Sequence, residues 1–315
     1  MLKLSFLNVG DGDAILIREV TTDFVMLVDC GRPHVEFANG SKRMSAINHL
    51  MKEHIDHIDL LVLTHLHFDH FGGAPAVFRH IPVKALLTAY LPPDDADWIM
   101  APPSNEKTVV GLCDALNLFN DIISIAKEGS TTCLLAKDGE ELLRCGLSVQ
   151  ITLPDASVLA RQKAVFDALY QSKNIDVDTV YAISKERNIS SLRVRLCYAD
   201  RSILLTGDAY ATEWENSAEQ CCDILKIPHH GDEKSMTQTL LNKLQPAYAV
   251  ISCENTVPAT KNRPDESILD MLLQQTPCVV CTENRSFPQY PETSRSAVCF
   301  HLDQDGAIQL IEEKN

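Results

Sequence analysis

Within six residues the sequence places three histidines and an aspartate, His65-Leu66-His67-Phe68-Asp69-His70. Imidazole nitrogens and carboxylate oxygens are ligands that Zn²⁺ accepts and that Mn²⁺ or iron tolerates. Histidines two apart at the mouth of a strand can aim both rings at one ion. The next two residues turn back, so Asp69 and His70 can face a second ion nearby. Gly72-Gly73 follows and permits close backbone approach behind the ligands. A histidine-rich surface loop is the plain alternative. It is disfavoured because the motif follows directly on residues 58–64, an apolar run with the length of a buried strand.

Two further segments carry the same chemistry. Leu204-Leu205-Thr206-Gly207-Asp208 is an apolar strand ending in a turn glycine and a carboxylate. Alone, such an aspartate reads as a turn or cap residue; beside the first motif it is placed to bridge two cations. Lys226-Ile227-Pro228-His229-His230-Gly231 again runs from strand to histidines to glycine. His229 is expected as a ligand and His230 as a contact to the leaving or non-bridging oxygen of a substrate.

The elements that must position these residues can be read around them. Strands are predicted at 2–9, 14–18 and 24–29, separated by Gly-Asp and Thr-Thr-Asp turn signals. A helix is predicted over 41–54, where Ile47, Leu50 and Met51 share a face. After the histidine motif come a helix and a strand at 84–88. Residues 91–146 are broken by Leu91-Pro92-Pro93 and Ala101-Pro102-Pro103, with a helix near 108–127, and are expected to form an insertion or lid beside the site. Strands resume at 147–153, 191–198, 202–206, 224–227, 247–252, 278–282 and 297–302, with helices at 155–172, 235–244 and 265–275. Strands followed by strand–helix alternation, in two halves, suggest two sheets sandwiched between helices. A single domain over 1–315 is expected.

Bulk properties narrow the function. The chain has 315 residues, 45% of them hydrophobic, and a formal net charge of −15. That acidity argues against tight non-specific nucleic-acid binding, which normally needs a basic face, although bound divalent cations would add positive charge locally. No stretch was expected to approach the ~20 apolar residues of a membrane span, and the start lacks the pattern of a secretory signal. The expected location is the cytoplasm, with no membrane partner. The 11 cysteines are scattered through apolar segments and read as reduced, mostly buried thiols. Cys278-Val-Val-Cys281 lacks the second pair or flanking helix that a zinc or redox site would have.

Taken together, the motifs resemble the signature of the metallo-β-lactamase superfamily, and within it the subgroup of the hydrolase domain of the competence protein ComEC and its stand-alone relatives. That subgroup shows patterns similar to Asn8-Val9-Gly10-Asp11-Gly12-Asp13-Ala14-Ile15, Asp29-Cys30-Gly31 and Asn188-Ile189-Ser190-Ser191-Leu192, besides the Leu-Thr-Gly-Asp strand and the Pro-His-His-Gly loop. The resemblance runs from about residue 2 to 255. It implies an α/β fold, the αβ/βα sandwich of two mixed sheets flanked by helices. It further implies a two-metal hydrolytic site with His65, His67, Asp69, His70, Asp208 and His229 as candidate ligands. The chain departs from the subgroup at Asp11 (often Gln), Asp232 (often Ser) and Arg263-Pro264 (often His-Pro). Other branches place a further ligand histidine before the bridging aspartate, but here no histidine lies between His80 and His229.

The expected cofactors are two divalent ions, Zn²⁺ or Mn²⁺, which would acidify a bridging water and stabilise charge on a phosphoryl or carbonyl oxygen. Asp69 and His230 are the expected catalytic groups. Asp13, Asp29, Asn188, Ser235 and Arg263 are expected to orient ligands or contact substrate. The function expected is phosphodiester hydrolysis, on nucleic acid or a smaller phosphodiester. Cleavage of a lactone, thioester or β-lactam, and a non-catalytic partner protein that keeps the fold, are the alternatives.

Overall fold

The structure is a computed structural model that describes residues 1–35, 39–144, 146–173, 175–255 and 263–311. Its first half contains β1 (Leu2–Leu7), β2 (Ile15–Glu19), β3 (Phe24–Val28), α1 (Ala46–Lys52), β4 (Ile58–Leu63), α2 (Phe68–Phe71), α3 (Ala74–His80), β5 (Val83–Thr88), α4 (Lys107–Glu128) and β6 (Thr132–Leu135). The second half contains β7 (Glu140–Arg144), β8 (Leu147–Thr152), α5 (Ala156–Tyr170), α6 (Val177–Lys185), β9 (Arg193–Tyr198), β10 (Arg201–Leu205), α7 (Ala211–Trp214), β11 (Ile224–Lys226), α8 (Gln238–Leu244), β12 (Tyr248–Ile251), α9 (Glu266–Gln275) and β13 (Cys278–Cys281). A short β14 (Glu283–Asn284) and β15 (Thr293–Ser294) pair with each other, and β16 (Ala297–Leu302) and β17 (Ile308–Ile311) follow.

Among the described residues the strands form two large mixed sheets. One has the order β17-β16-β1-β2-β3-β4-β5-β6 and the other β13-β12-β11-β10-β9-β8-β7. The chain crosses from the first sheet to the second between β6 and β7 and returns at β16, which pairs antiparallel with β1 from Leu2↔Leu302 to Leu7↔Ala297.

The layering explains why the strands lack a polar face. In β4, Leu60 and Val62 point into the core between the sheets, while Ile58, Leu61 and Leu63 point to the core under α1, α3 and α4. A strand buried on both sides must be apolar throughout. In β10, Ile203 and Leu205 face the inter-sheet core, and Leu204 faces a third core under α7, α8 and α9. The expected pair of mixed sheets flanked by helices is what the chain forms.

Within residues 91–146, α4 buries Leu112, Leu116, Phe119 and Ile123 in the core under the first sheet, β6 extends that sheet, and β7 begins the second. The 22-residue α4 is also long and apolar enough to cross a membrane by length and composition, contrary to the expectation that no stretch would be. Its apolar face packs against α3, α6 and β6. The helices predicted at 41–54 and 235–244 begin later, at Ala46 and Gln238, where Ser45 and Thr237 accept hydrogen bonds from backbone N–H groups of the first turn.

Candidate metal centre and its cleft

The three motifs meet at the C-terminal ends of β4, β10 and β11. Asp208 lies just beyond β10, its backbone N–H donating to Ser191 Oγ at 3.1 Å. Its two oxygens divide the histidines between them. Oδ1 is 3.1 Å from His70 Nε2 and 3.7 Å from His230 Nε2, whereas Oδ2 is 3.7 Å from His65 Nε2 and 3.8 Å from His229 Nε2. Asp69 joins the first side, with Oδ2 3.6 Å from His230 Nε2. His67 joins the second, with Nδ1 3.0 Å from His65 Nε2.

Two donor sets therefore share Asp208: Asp69, His70, Asp208 and His230 on one side, and His65, His67 and Asp208 on the other, with the ligand atoms of each set within 4.8 Å of one another. Among the described residues, His70 Nε2, His230 Nε2 and Asp208 Oδ1 are buried and make no well-aligned hydrogen bond, the 3.1 Å approach of His70 to Asp208 included. Convergent buried polar atoms left unsatisfied are costly unless something binds them. Imidazole and carboxylate donors in this number and spacing fit a divalent cation.

Surrounding groups fix which nitrogen each ring presents. Asp29 accepts from Thr64 N at 2.8 Å and Thr64 Oγ1 at 2.7 Å, and lies 2.7 Å from His70 Nδ1. The Ser252 carbonyl lies 2.9 Å from His230 Nδ1. With Nδ1 engaged in this way, both rings turn Nε2 toward Asp208, the arrangement by which neighbours orient metal-binding imidazoles. Asp13 is buried, lies 3.8 Å from His70 Nδ1 and pairs with the ammonium of Lys226.

The electrostatics follow from burial among like and unlike charges. Burial, reinforced by His70, holds His65 well below its usual value. Burial and the Arg187 guanidinium lower His67 to about 3, so both rings are neutral and able to ligate near pH 7. Burial works to lower His70 as well, but Asp208 and Asp29 overcome it and raise the ring well above its usual value. Burial opposes ionisation of Asp208, yet His70 and His230 hold it well below the carboxylate range.

The sequence placed His229 among the ligands and His230 against substrate. The structure buries the His230 ring completely and sets its Nε2 within a donor set, beside Asp69 and Asp208. His229 lies at the cleft, where Nε2 is 3.1 Å from Asn188 Nδ2 and 2.8 Å from Arg263 Nη2. Both histidines have positive φ, +47° and +57°, and this turn sends consecutive side chains to the two oxygens of Asp208.

The cleft above the centre has a volume of about 430 Å³ and is lined by His67, Asp69, Asp208 and His229, with Tyr210, Lys234 and Arg263 beside them. Arg263 also contacts Asp232 at 3.3 Å. Ser235 is buried without lining the cleft, and its hydroxyl has no hydrogen-bond partner. Lys226 and Arg187 escaped the sequence reading. Lys226 had a signal, a charge at the end of an apolar strand; Arg187 had none.

A family model described as the metallo-beta-lactamase superfamily matches residues 7–254. ComE operon protein 3 of Bacillus subtilis (strain 168) is 24% identical to this chain over 93% of its length; the match covers 33% of that protein, so the chain spans about a third of it. Among solved structures, the metallo-beta-lactamase fold protein YhfI from Bacillus subtilis aligns over 89% of this chain and 96% of its own, at 10% identity and a TM-score of 0.48. CmlA, a diiron beta-hydroxylase from Streptomyces venezuelae, aligns over 88% of this chain and 52% of its own, at 14% identity and a TM-score of 0.48.

Proposed function

The chain belongs to the metallo-beta-lactamase superfamily, and from that premise we propose that it is a metal-dependent hydrolase of phosphodiesters working at two divalent cations. The observation that carries this reading is the division of Asp208, with unsatisfied histidine nitrogens converging on one oxygen and a second donor set on the other. His229 Nε2, 3.8 Å from Asp208 Oδ2, would become a fourth donor on the side of His65 and His67 once Arg263 Nη2 and Asn188 Nδ2, which now engage it at 2.8 and 3.1 Å, release it. It stands in for the histidine that other branches place earlier in the chain.

Divalent cations in such a site supply an acidified water and stabilise negative charge on a phosphoryl oxygen. The protein's own residues do the rest. Asp29 and the Ser252 carbonyl hold His70 and His230 in the ligating tautomer. Asp69, the carboxylate of its donor set nearest the cleft, orients the attacking water. Arg263 and Lys234 line the cleft beside Asp232 and Glu233, and their cationic groups offer contacts to the charged oxygens of a diester that a neutral lactone lacks.

The test is to count metals in protein purified without chelators and to assay a chromogenic phosphodiester, single- and double-stranded DNA and a lactone, each with Mn²⁺ or Zn²⁺. Near two metals per chain with chelator-sensitive diester turnover is the expected result. Metal with lactone turnover alone would replace the substrate class, and failure to bind metal after reconstitution would remove the catalytic reading.

A further inference from the structure

A second cavity, of about 160 Å³, lies between the ends of β4 and β5 and the inner side of α5. Thr64, His65 and Leu66 form one wall, so the histidine whose Nε2 faces Asp208 also borders this space. Tyr90 and Phe166 form the opposite wall as an edge-to-face pair with centroids 5.2 Å apart. The Tyr90 hydroxyl is tied to Asp167 at 2.9 Å, which fixes that ring. Buried polar groups on Gln162, Thr88 and Arg187 line the remainder. No carboxylate borders the cavity, although the chain carries 43 acidic residues.

Size decides what fits. An apolar cavity of about 150 Å³ accommodates one benzene ring. A cavity of 160 Å³ therefore takes a single six-membered ring and excludes a fused purine. The aromatic pair offers a face and an edge to such a ring. Gln162 Nε2 donates to the Glu186 carbonyl, and Arg187 Nε and Nη1 to those of Ser184 and Leu66; their remaining N–H groups and the Thr88 hydroxyl suit a ring that carries acceptor oxygens.

We propose that this cavity is a substrate subsite for one six-membered aromatic ring with hydrogen-bond acceptors, a pyrimidine base being the type, joined to the phosphoryl group held in the neighbouring cleft. The proposal rests on the phosphodiesterase reading for the identity of the joined group. The ring pocket itself rests on the walls of the cavity. Arg187 borders the cavity, donates to the Leu66 carbonyl at 3.0 Å and acts electrostatically on His67 and Asp69, which line the cleft.

The probes are uridine 5′-monophosphate, adenosine 5′-monophosphate and methyl phosphate, titrated calorimetrically into chelator-treated and metal-loaded protein. The uridine compound is expected to bind at least tenfold more tightly than the other two in both states. Crystals of metal-free protein soaked with 5-bromouridine 5′-monophosphate are expected to show anomalous bromine density inside the cavity, between the Tyr90–Phe166 wall and Leu66. Ala160→Trp, at the exposed edge of the cavity, and separately Phe166→Leu should each reduce the uridine preference at least fivefold without changing metal content. Equal affinity for the three probes, or bromine elsewhere, would overturn the subsite whether or not diesters are hydrolysed. Bromine in the cavity with no diester turnover would support the ring pocket and overturn the phosphodiesterase reading alone.

Discussion

The ammonium of Lys226 meets the carboxylate of Asp13 where neither side chain is more than 1% exposed. Along β11, Ile224 faces the core between the sheets, Leu225 the helical side, and Lys226 by alternation the inner side again. Its side chain therefore crosses to the first sheet, where Nζ donates also to the Gly207 carbonyl at 3.1 Å and lies 3.9 Å from Asp208 Oδ1. Removing one partner of a buried pair leaves the other charge uncompensated. Lys226→Met should cost about 3–5 kcal/mol, and adding Asp13→Asn should recover at least half of that loss. Denaturant melts of both single variants and the double variant measure the coupling, and additive losses would show that the pair does not act as a unit.

The two adjacent histidines should separate by metal count. His230→Ala removes a donor from the set with Asp69 and His70, and His229→Ala removes the donor proposed beside His65 and His67. Each variant should fall from near two bound metals toward one. A His229→Ala protein that retains two metals but loses turnover would mean that His229 serves substrate rather than metal.

Gly12 lies beneath Asp69. A Cβ built there would stand 2.4 Å from the Asp69 carbonyl oxygen, a backbone atom that cannot swing aside. Asp13 N–H donates to the same carbonyl at 3.1 Å. Gly12→Ala should destabilise the fold by about 1–3 kcal/mol, as overpacking does, and weaken metal binding through Asp69. Thermal melts with and without added metal read both effects, and an unchanged metal affinity would separate the loop from the centre.

Arg263 holds His229 Nε2 and Asp232 Oδ2 with one guanidinium nitrogen, at 2.8 and 3.3 Å. Lysine keeps the charge but not the planar fork. Arg263→Lys should raise KM for a diester roughly tenfold, the equivalent of ~1.4 kcal/mol, at constant metal content. An unchanged KM would place this arginine outside substrate binding.

Away from the site, Glu19 sets an acid limit. Burial works to raise this carboxyl, but hydrogen bonds including that from Thr22 overcome it and bring it down to about 2 from 4.5. A depressed carboxylate contributes stability that is complete above the unfolded value and lost as pH falls through the folded one. Glu19→Gln should therefore cost about 1.5–3 kcal/mol at pH 7, with the difference from the parent shrinking between pH 4.5 and 2. A constant difference across that window would assign the loss to packing.

What could be read from the sequence was what repeats locally. The doubly buried β4 shows as an unbroken apolar run, and the histidine motif sits directly after it. β6 and β7 were illegible because they are largely exposed edge strands, so no burial pattern marks them. α4 was legible as a helix, but the proline-rich residues before it hide its docking under the first sheet. The roles of His229 and His230 depend on two consecutive left-handed residues, which composition does not announce. Lys226 finds Asp13 across the sandwich, a separation in sequence that no spacing rule reaches.

The return of β16 to the edge of β1 bears on how the molecule comes into being. Asp13, Asp29 and the four groups from His65 to His70 all emerge early in synthesis, yet Asp208 and the paired histidines follow more than 130 residues later. The strand that flanks β1 comes later still. Contacts so distant along the chain form slowly. A partly made polypeptide on the ribosome thus carries a row of histidines and carboxylates with no closing half. Capture of a cation in the finished geometry waits until Asp208 and the paired histidines have emerged and folded against the first half.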